Sequence, residues 1–142
     1  MLYRMIILIF SMAFILYSQN ANHDEQKNII GLWHGHSICV DRNMDTACKD
    51  EEVVYECTGG VASFDSVRLK ASKYIWRSLE PMGEIDLTYN PSVKNWTAEY
   101  HTRLKIRWSF TVRDSIMNGT LTELPSMRLI RTVQVTKFST IE

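Results

Sequence analysis

The chain has 142 residues, 45% apolar and 23% charged, which bounds it to one globular domain around a single core. Sixteen basic side chains balance sixteen acidic ones. That balance excludes the basic face that nucleic acid rewards, so no nucleic-acid partner is expected, and it gives no reason for binding to anionic lipid.

Met1 to Ala21 reads as a secretory signal peptide. Arg4 is its basic start, Met5 to Tyr17 its apolar run, and Ser18-Gln19-Asn20-Ala21 its polar exit. The apolar run is thirteen residues long, short of the about twenty that a spanning helix needs, so no stable membrane anchor is expected. Cleavage removes one charged group, Arg4, and leaves residues 22–142 at net minus one. The expected location is secreted or periplasmic, where disulfides persist. Three cysteines follow, Cys39, Cys48 and Cys57, and the odd count leaves at least one free or paired between chains. Cys39 and Cys48 flank the polar loop Asp41 to Ala47 and are the preferred pair. Closing that loop stabilises by about 2–3 kcal/mol in the chain-entropy picture. Cys57 is then a candidate small buried apolar residue.

His23 to Asn28 is a polar run with room for one helical turn. Beyond it the chain shows strand-like alternation broken by turn residues every eight to fourteen positions. A first strand is expected over Ile30 to Val40 and a second over Glu52 to Cys57, ended by a turn at Thr58-Gly59-Gly60. Val67 to Ala71 marks a third, which extends either towards Phe64 or to Ile75. Leu79 to Gly83 punctuates. Glu84 to Tyr89 alternates, with Ile85, Leu87 and Tyr89 on one face, and Asn90-Pro91-Ser92 turns the chain. Lys94 to Tyr100 places Trp96, Ala98 and Tyr100 together. The strongest pattern is Arg103 to Val112, where Leu104, Ile106, Trp108, Phe110 and Val112 alternate with polar residues. Strict period two demands one buried face and one wet face. Arg113-Asp114-Ser115 turns into a strand over Ile116 to Leu124, with Met117, Gly119 and Leu121 on one face. Asn118-Gly119 is a competing hairpin signal, but the apolar alternation runs through it, so Gly119 is read as a bulge or barrel corner. The last strand, Met127 to Phe138, carries Arg131 among its apolar odd positions.

Eight strands with short connections and no crossover helix form an antiparallel up-and-down barrel. Closure makes the first and last strands neighbours. Trp33 and Arg131 are then expected to stack and seal one end, a contact of about 0.5–2 kcal/mol.

Gly31-x-Trp33 on the first strand, after a possible helical turn, with a basic residue on the last strand, resembles the calycin superfamily of lipocalins and fatty-acid-binding proteins. The chain looks most like small exported lipocalin-like proteins of unassigned function. The runs that carry the resemblance are Gly31-Leu32-Trp33, Cys39 and Cys48 followed by Asp50 to Tyr55, Trp108-Ser109-Phe110, Met117 to Leu121, and Leu129 to Val133. The chain departs from typical lipocalins in lacking the longer second and third signatures and a C-terminal helix. The resemblance implies an eight-stranded barrel with Gly31, Trp33 and Arg131 as barrel-closing residues.

The candidate pocket lining is Ile85, Leu87, Trp96, Tyr100, Leu104, Ile106, Trp108, Phe110 and Met117, apolar side chains suited to a small apolar or amphipathic molecule. The alternative is a solid core. His34 and His36 share a strand face opposite to that of Trp33 and read as a solvated pair rather than a metal site. Asp50-Glu51-Glu52 reads as a solvated loop. There is no Gly-x-Ser-x-Gly, no phosphate-cradling glycine loop and no His-Glu-x-x-His. No catalytic residue, metal or cofactor is expected. The second functional expectation is a protein-interaction module, an inhibitor or cell-envelope factor, whose contact is the loop Asp41 to Glu52.

Overall fold

The computed structural model describes residues 28–43, 48–63 and 66–139, with the backbone alone at 60–63 and 66–70. The leader, most of the expected helical turn and the tip of the Asp41 to Ala47 loop lie outside the described residues. Eight strands run β1 Gly31–Cys39, β2 Glu51–Ser63, β3 Ser66–Ile75, β4 Pro81–Asn90, β5 Asn95–His101, β6 Lys105–Arg113, β7 Ile116–Glu123 and β8 Arg128–Ser139. Each pairs antiparallel with the next, and β8 pairs with β1 to close the barrel. Among the described residues there is no helix.

The start of β1 defines one end, hereafter the Trp33 end. There stand the β2–β3, β4–β5 and β6–β7 turns. The other end, the Arg131 end, holds the Cys39–Cys48 loop and the β3–β4, β5–β6 and β7–β8 turns. The core is densest towards the Trp33 end, where Trp33, Tyr55, Leu87, Trp96, Phe110, Met117 and Val135 are fully buried or nearly so. The edge of Tyr55 meets the Phe110 ring, and Trp108 stacks on Phe110 at 5.5 Å between centroids. On β4 the alternation is as read: Ile85, Leu87 and Tyr89 buried, Glu84, Asp86 and Thr88 exposed.

Four expectations are corrected. Thr58-Gly59-Gly60 is strand, not turn, because β3 continues to pair with it: Thr58 faces Lys70, Gly59 Leu69 and Gly60 Arg68. Leu104 lies in the bend before β6. Gly119 marks neither a bulge nor a corner of its own, the β7–β8 irregularity falling at Leu121/Thr122. It faces Phe110 across the ladder, and a Cβ there would stand 2.5 Å from two atoms of that ring. The missing side chain is the space into which the phenyl packs.

The fourth correction concerns Trp33 and Arg131, which do not touch. In the β1–β8 register Trp33 faces Lys137, whereas Arg131 faces Cys39. Six residues along a strand at about 3.3 Å each separate the two by about 20 Å. The cation over the indole is Lys137, with Nζ 4.9 Å from the ring centroid. The indole Nε1 donates to Ile29 O at 2.7 Å, and Lys137 Nζ donates to Asn28 O at 2.7 Å. Antiparallel closure lets only a residue late in β8 reach the start of β1. Gly31 makes the approach possible: its φ is +138°, and a Cβ would meet the Ser139 carbonyl oxygen at 2.6 Å.

Cys39 and Cys48 form the disulfide, and Cys57 is a free, buried thiol. Burial pushes that thiol from an ordinary 9.0 up to about 12, with Lys137 pulling the other way. The unfolded chain therefore loses this proton first. The stability the neutral thiol contributes is present below pH 9 and fades as pH climbs to about 12. Urea midpoints at pH 8 and pH 10.5 should fall further apart in the wild type than in Cys57→Ala, the difference between the proteins isolating this thiol from other alkaline titrations. Equal pH dependence would remove the thiol from the account.

Candidate functional site

The nine candidate lining residues divide into two groups. Ile85, Leu87, Trp96, Phe110 and Met117 are buried in the packed core. Tyr100, Ile106 and Trp108 also face inward by alternation but are only half-buried, as is Leu104 in its bend. The periodicity of β6 thus announces the inward face correctly, yet Phe110 is the one side chain on it that is fully covered.

A cavity of about 700 Å³ opens at the Trp33 end. Its floor is Tyr89, Trp96 and Val112, side chains at the ends of β4, β5 and β6 that point towards the barrel axis. Tyr89 and Trp96 are register partners, their rings tilted against each other at 5.1 Å. The lip comes from connections: Ser92, Val93 and Lys94 of the β4–β5 turn, Arg113 of the β6–β7 hairpin, and Asn28 ahead of β1. Lys94 and Arg113 bring two positive charges. Of the nine candidates, Trp96 alone lines this cavity. A sequence reading confined to apolar alternation misses the lip, because its residues come together from separate turns.

The Arg131 end is closed by a buried ion cluster. Arg131 Nη1 donates to Ser37 Oγ at 2.8 Å, to Ser37 O at 3.3 Å and to Glu51 Oε2 at 3.1 Å. Nη2 donates to Lys49 O at 2.9 Å and lies 3.5 Å from Cys48 Sγ. Lys73 Nζ donates to the same Glu51 oxygen at 2.8 Å. The guanidinium therefore pins the disulfide-bonded loop to the barrel wall. Burial lowers the pKa of Lys73, opposed by its bond to Glu51. Tyr55 Oη, close to Arg131 and Glu51, completes no hydrogen bond, and burial holds the phenol well above its ordinary range.

The acidic run Asp50-Glu51-Glu52 is not the solvated loop expected of it. Asp50 stands just ahead of β2, and alternation along the strand sends Glu51 and Glu52 to opposite faces. Asp50 Oδ1 accepts the Cys39 N–H at 2.9 Å, Glu51 turns inward to Arg131 and Lys73, and Glu52 turns outward. Glu52 Oε1 lies 2.9 Å from His34 Nε2. His34 faces outward as read, but it is stacked on Trp76 at 3.9 Å with Phe138 edge-on, rather than simply solvated. His36 is exposed. Among the described residues no three His, Cys, Asp or Glu side chains gather where they could hold a metal ion.

Family models, curated proteins and solved structures provide no match to this chain. The closed eight-stranded antiparallel barrel is consistent with a calycin-like fold, and the barrel scaffold is compatible with ligand binding. Among the described residues no helix is long and apolar enough to cross a membrane.

Proposed function

We propose that this barrel is an exported, lipocalin-like binding protein for a small amphipathic molecule carrying an anionic group. The observation that carries the reading is the cavity at the Trp33 end, with its aromatic floor and two cations at its lip. Its volume of about 700 Å³ falls within the range of about 300–1,000 Å³ typical of small-molecule sites. The apolar part of the ligand lies on Tyr89, Trp96 and Val112. Burial there contributes about 25 cal/mol per Å² before the costs of association. The acidic group meets Lys94 and Arg113. The Cys39–Cys48 disulfide fits an oxidising compartment outside the cytosol.

The test uses the fluorescent probe 8-anilinonaphthalene-1-sulfonate, which joins a flat apolar body to one negative charge. Replacing both Lys94 and Arg113 by glutamine is expected to weaken its binding about tenfold, or about 1.4 kcal/mol. The neutral analogue N-phenyl-1-naphthylamine should be affected much less. Unchanged sulfonate affinity in the double variant would refute the cationic lip.

One observation favours a protein-interaction module instead. Ile38 and Val40, where β1 runs into the disulfide loop, are 42% and 51% exposed. On that reading the Asp41 to Glu52 loop carries the contact. A stoichiometric protein partner, with no small molecule, in a native mass spectrum of the protein from its own host would decide for it.

A further inference from the structure

The outer wall of the barrel carries a cluster of aromatic side chains over β8, β1, β2 and β3. Trp76 continues the β2–β3 ladder by one step, its N–H donating to Glu52 O at 2.9 Å. Ala71 and Lys73 of β3 are buried on the inner face, so alternation turns the indole outward. It crosses above β2 and stacks on His34 of β1 at 3.9 Å between ring centroids. Val54, the β2 residue opposite both His34 and Tyr74, points outward yet is 5% exposed. The stacked pair roofs it. Phe138 of β8 stands edge-on to both rings, 6.3 Å from the imidazole and 6.4 Å from the indole, and is 53% exposed. Four neighbouring strands about 4.8 Å apart make this face about 14 Å wide.

The charge of this face has one sign. Between Gln134 and Phe138 on β8, Leu32 and His36 on β1, and Glu52 and Glu56 on β2, the outward positions hold two carboxylates and no lysine or arginine. Glu52 Oε1 lies 2.9 Å from His34 Nε2, and Glu56 Oε2 accepts the Tyr74 phenol at 3.3 Å. An imidazole and a phenol thus orient the two acids, and among the described residues no lysine or arginine pairs with either. The wall across the barrel is arranged otherwise. There Glu99 is met by Arg107 Nη2 at 2.6 Å and by Lys105 Nζ at 3.7 Å.

Carboxylates beside exposed rings suit a cation on an apolar stem. A guanidinium or ammonium is drawn to an aromatic face by the ring quadrupole, and its methylenes lie along the apolar surface around it. A face spread flat over four strands is not the concave site that a small molecule takes; it fits the surface of another protein. A second copy of this chain would bring the same two carboxylates against these, because a two-fold interface sets a patch against itself. We propose that this face docks a basic segment of another protein, with arginine or lysine side chains lying on Trp76 and Phe138 and paired with Glu52 and Glu56. The face is on the outside of the wall, so it works independently of the cavity at the Trp33 end and of what that cavity holds.

The test selects peptides from a random displayed library on the immobilised wild type and measures the selected peptides by calorimetry. The retained peptides are expected to be rich in arginine or lysine. Affinity should fall at least about tenfold in Trp76→Ala, in the double variant Glu52→Gln, Glu56→Gln, and when each arginine of the peptide is replaced by its uncharged isostere citrulline. Glu99→Gln, on the far wall, should leave it within about twofold. Far-ultraviolet circular dichroism shows that each variant is folded. The sulfonate probe is expected to bind all of them alike, so a failure of the cavity and a failure of this face read out separately. Retained peptides with no excess of basic residues, equal affinity for Trp76→Ala, or no retained peptide at all overturns the proposal. So does sedimentation of the wild type as a dimer that Trp76→Ala dissolves, which assigns the face to a second copy.

Discussion

Arg131→Met is expected to destabilise the barrel by about 3–5 kcal/mol, the range for breaking a buried ion pair from one side. The size follows from what the guanidinium holds. Its removal leaves Glu51, 9% exposed, with Lys73 as its remaining cation. It also takes a donor from the backbone oxygens of Ser37 and Lys49, and so unhooks the disulfide loop from the wall. A domain of this size has about 5–15 kcal/mol in total, so the variant should fold only marginally. Chemical denaturation followed by tryptophan fluorescence checks it, and a loss below about 1 kcal/mol would reduce the cluster to the worth of a surface ion pair. The triple variant Arg131→Met, Glu51→Leu, Lys73→Met should recover most of the loss. Apolar replacement removes the desolvation penalty along with the pairing, whereas the single variant removes only the pairing.

Period-two alternation is a local property, and it placed the strands and their inward faces well. Strand β6 is the clearest case, its inward residues identified from sequence alone. What alternation does not contain is coverage. Trp108 and Phe110 look alike in the pattern, yet Phe110 is enclosed by Tyr55, Trp108 and the space at Gly119, while Trp108, opposite the small Ala98, stays half-buried. Register is equally invisible. Arg131 and Lys137 are both basic residues on odd positions of β8, and only the pairing with β1 decides which one meets Trp33. Glycine misleads in both directions. Gly59-Gly60 carries the chemistry of a turn but is held extended by β3, and Gly119 has the look of a bulge but accommodates a ring. The cavity at the Trp33 end was least legible of all. Asn28 precedes β1, Ser92 and Lys94 lie between β4 and β5, and Arg113 ends β6, and closure of the barrel is what assembles them.

Trp33→Ala tests the opposite end and should cost about 3–5 kcal/mol, as expected for truncating a fully buried tryptophan. The cavity would be lined by the start of β1 and the stem of Lys137, neither of which can collapse without breaking the β1–β8 ladder. The two ends are also separable in energy. Trp33→Phe removes the indole donor to Ile29 O and weakens the face beneath Lys137. Combined with Lys137→Met it should show a coupling of at least about 0.5 kcal/mol, as residues in contact do. Combined with Arg131→Lys, a change mild enough to leave a folded protein, it should add within about 0.3–0.5 kcal/mol, because the two side chains share no partner and stand about 20 Å apart. Coupling of 1 kcal/mol or more between Trp33 and Arg131 would mean that the indole and the guanidinium meet after all, and that the β1–β8 register is wrong.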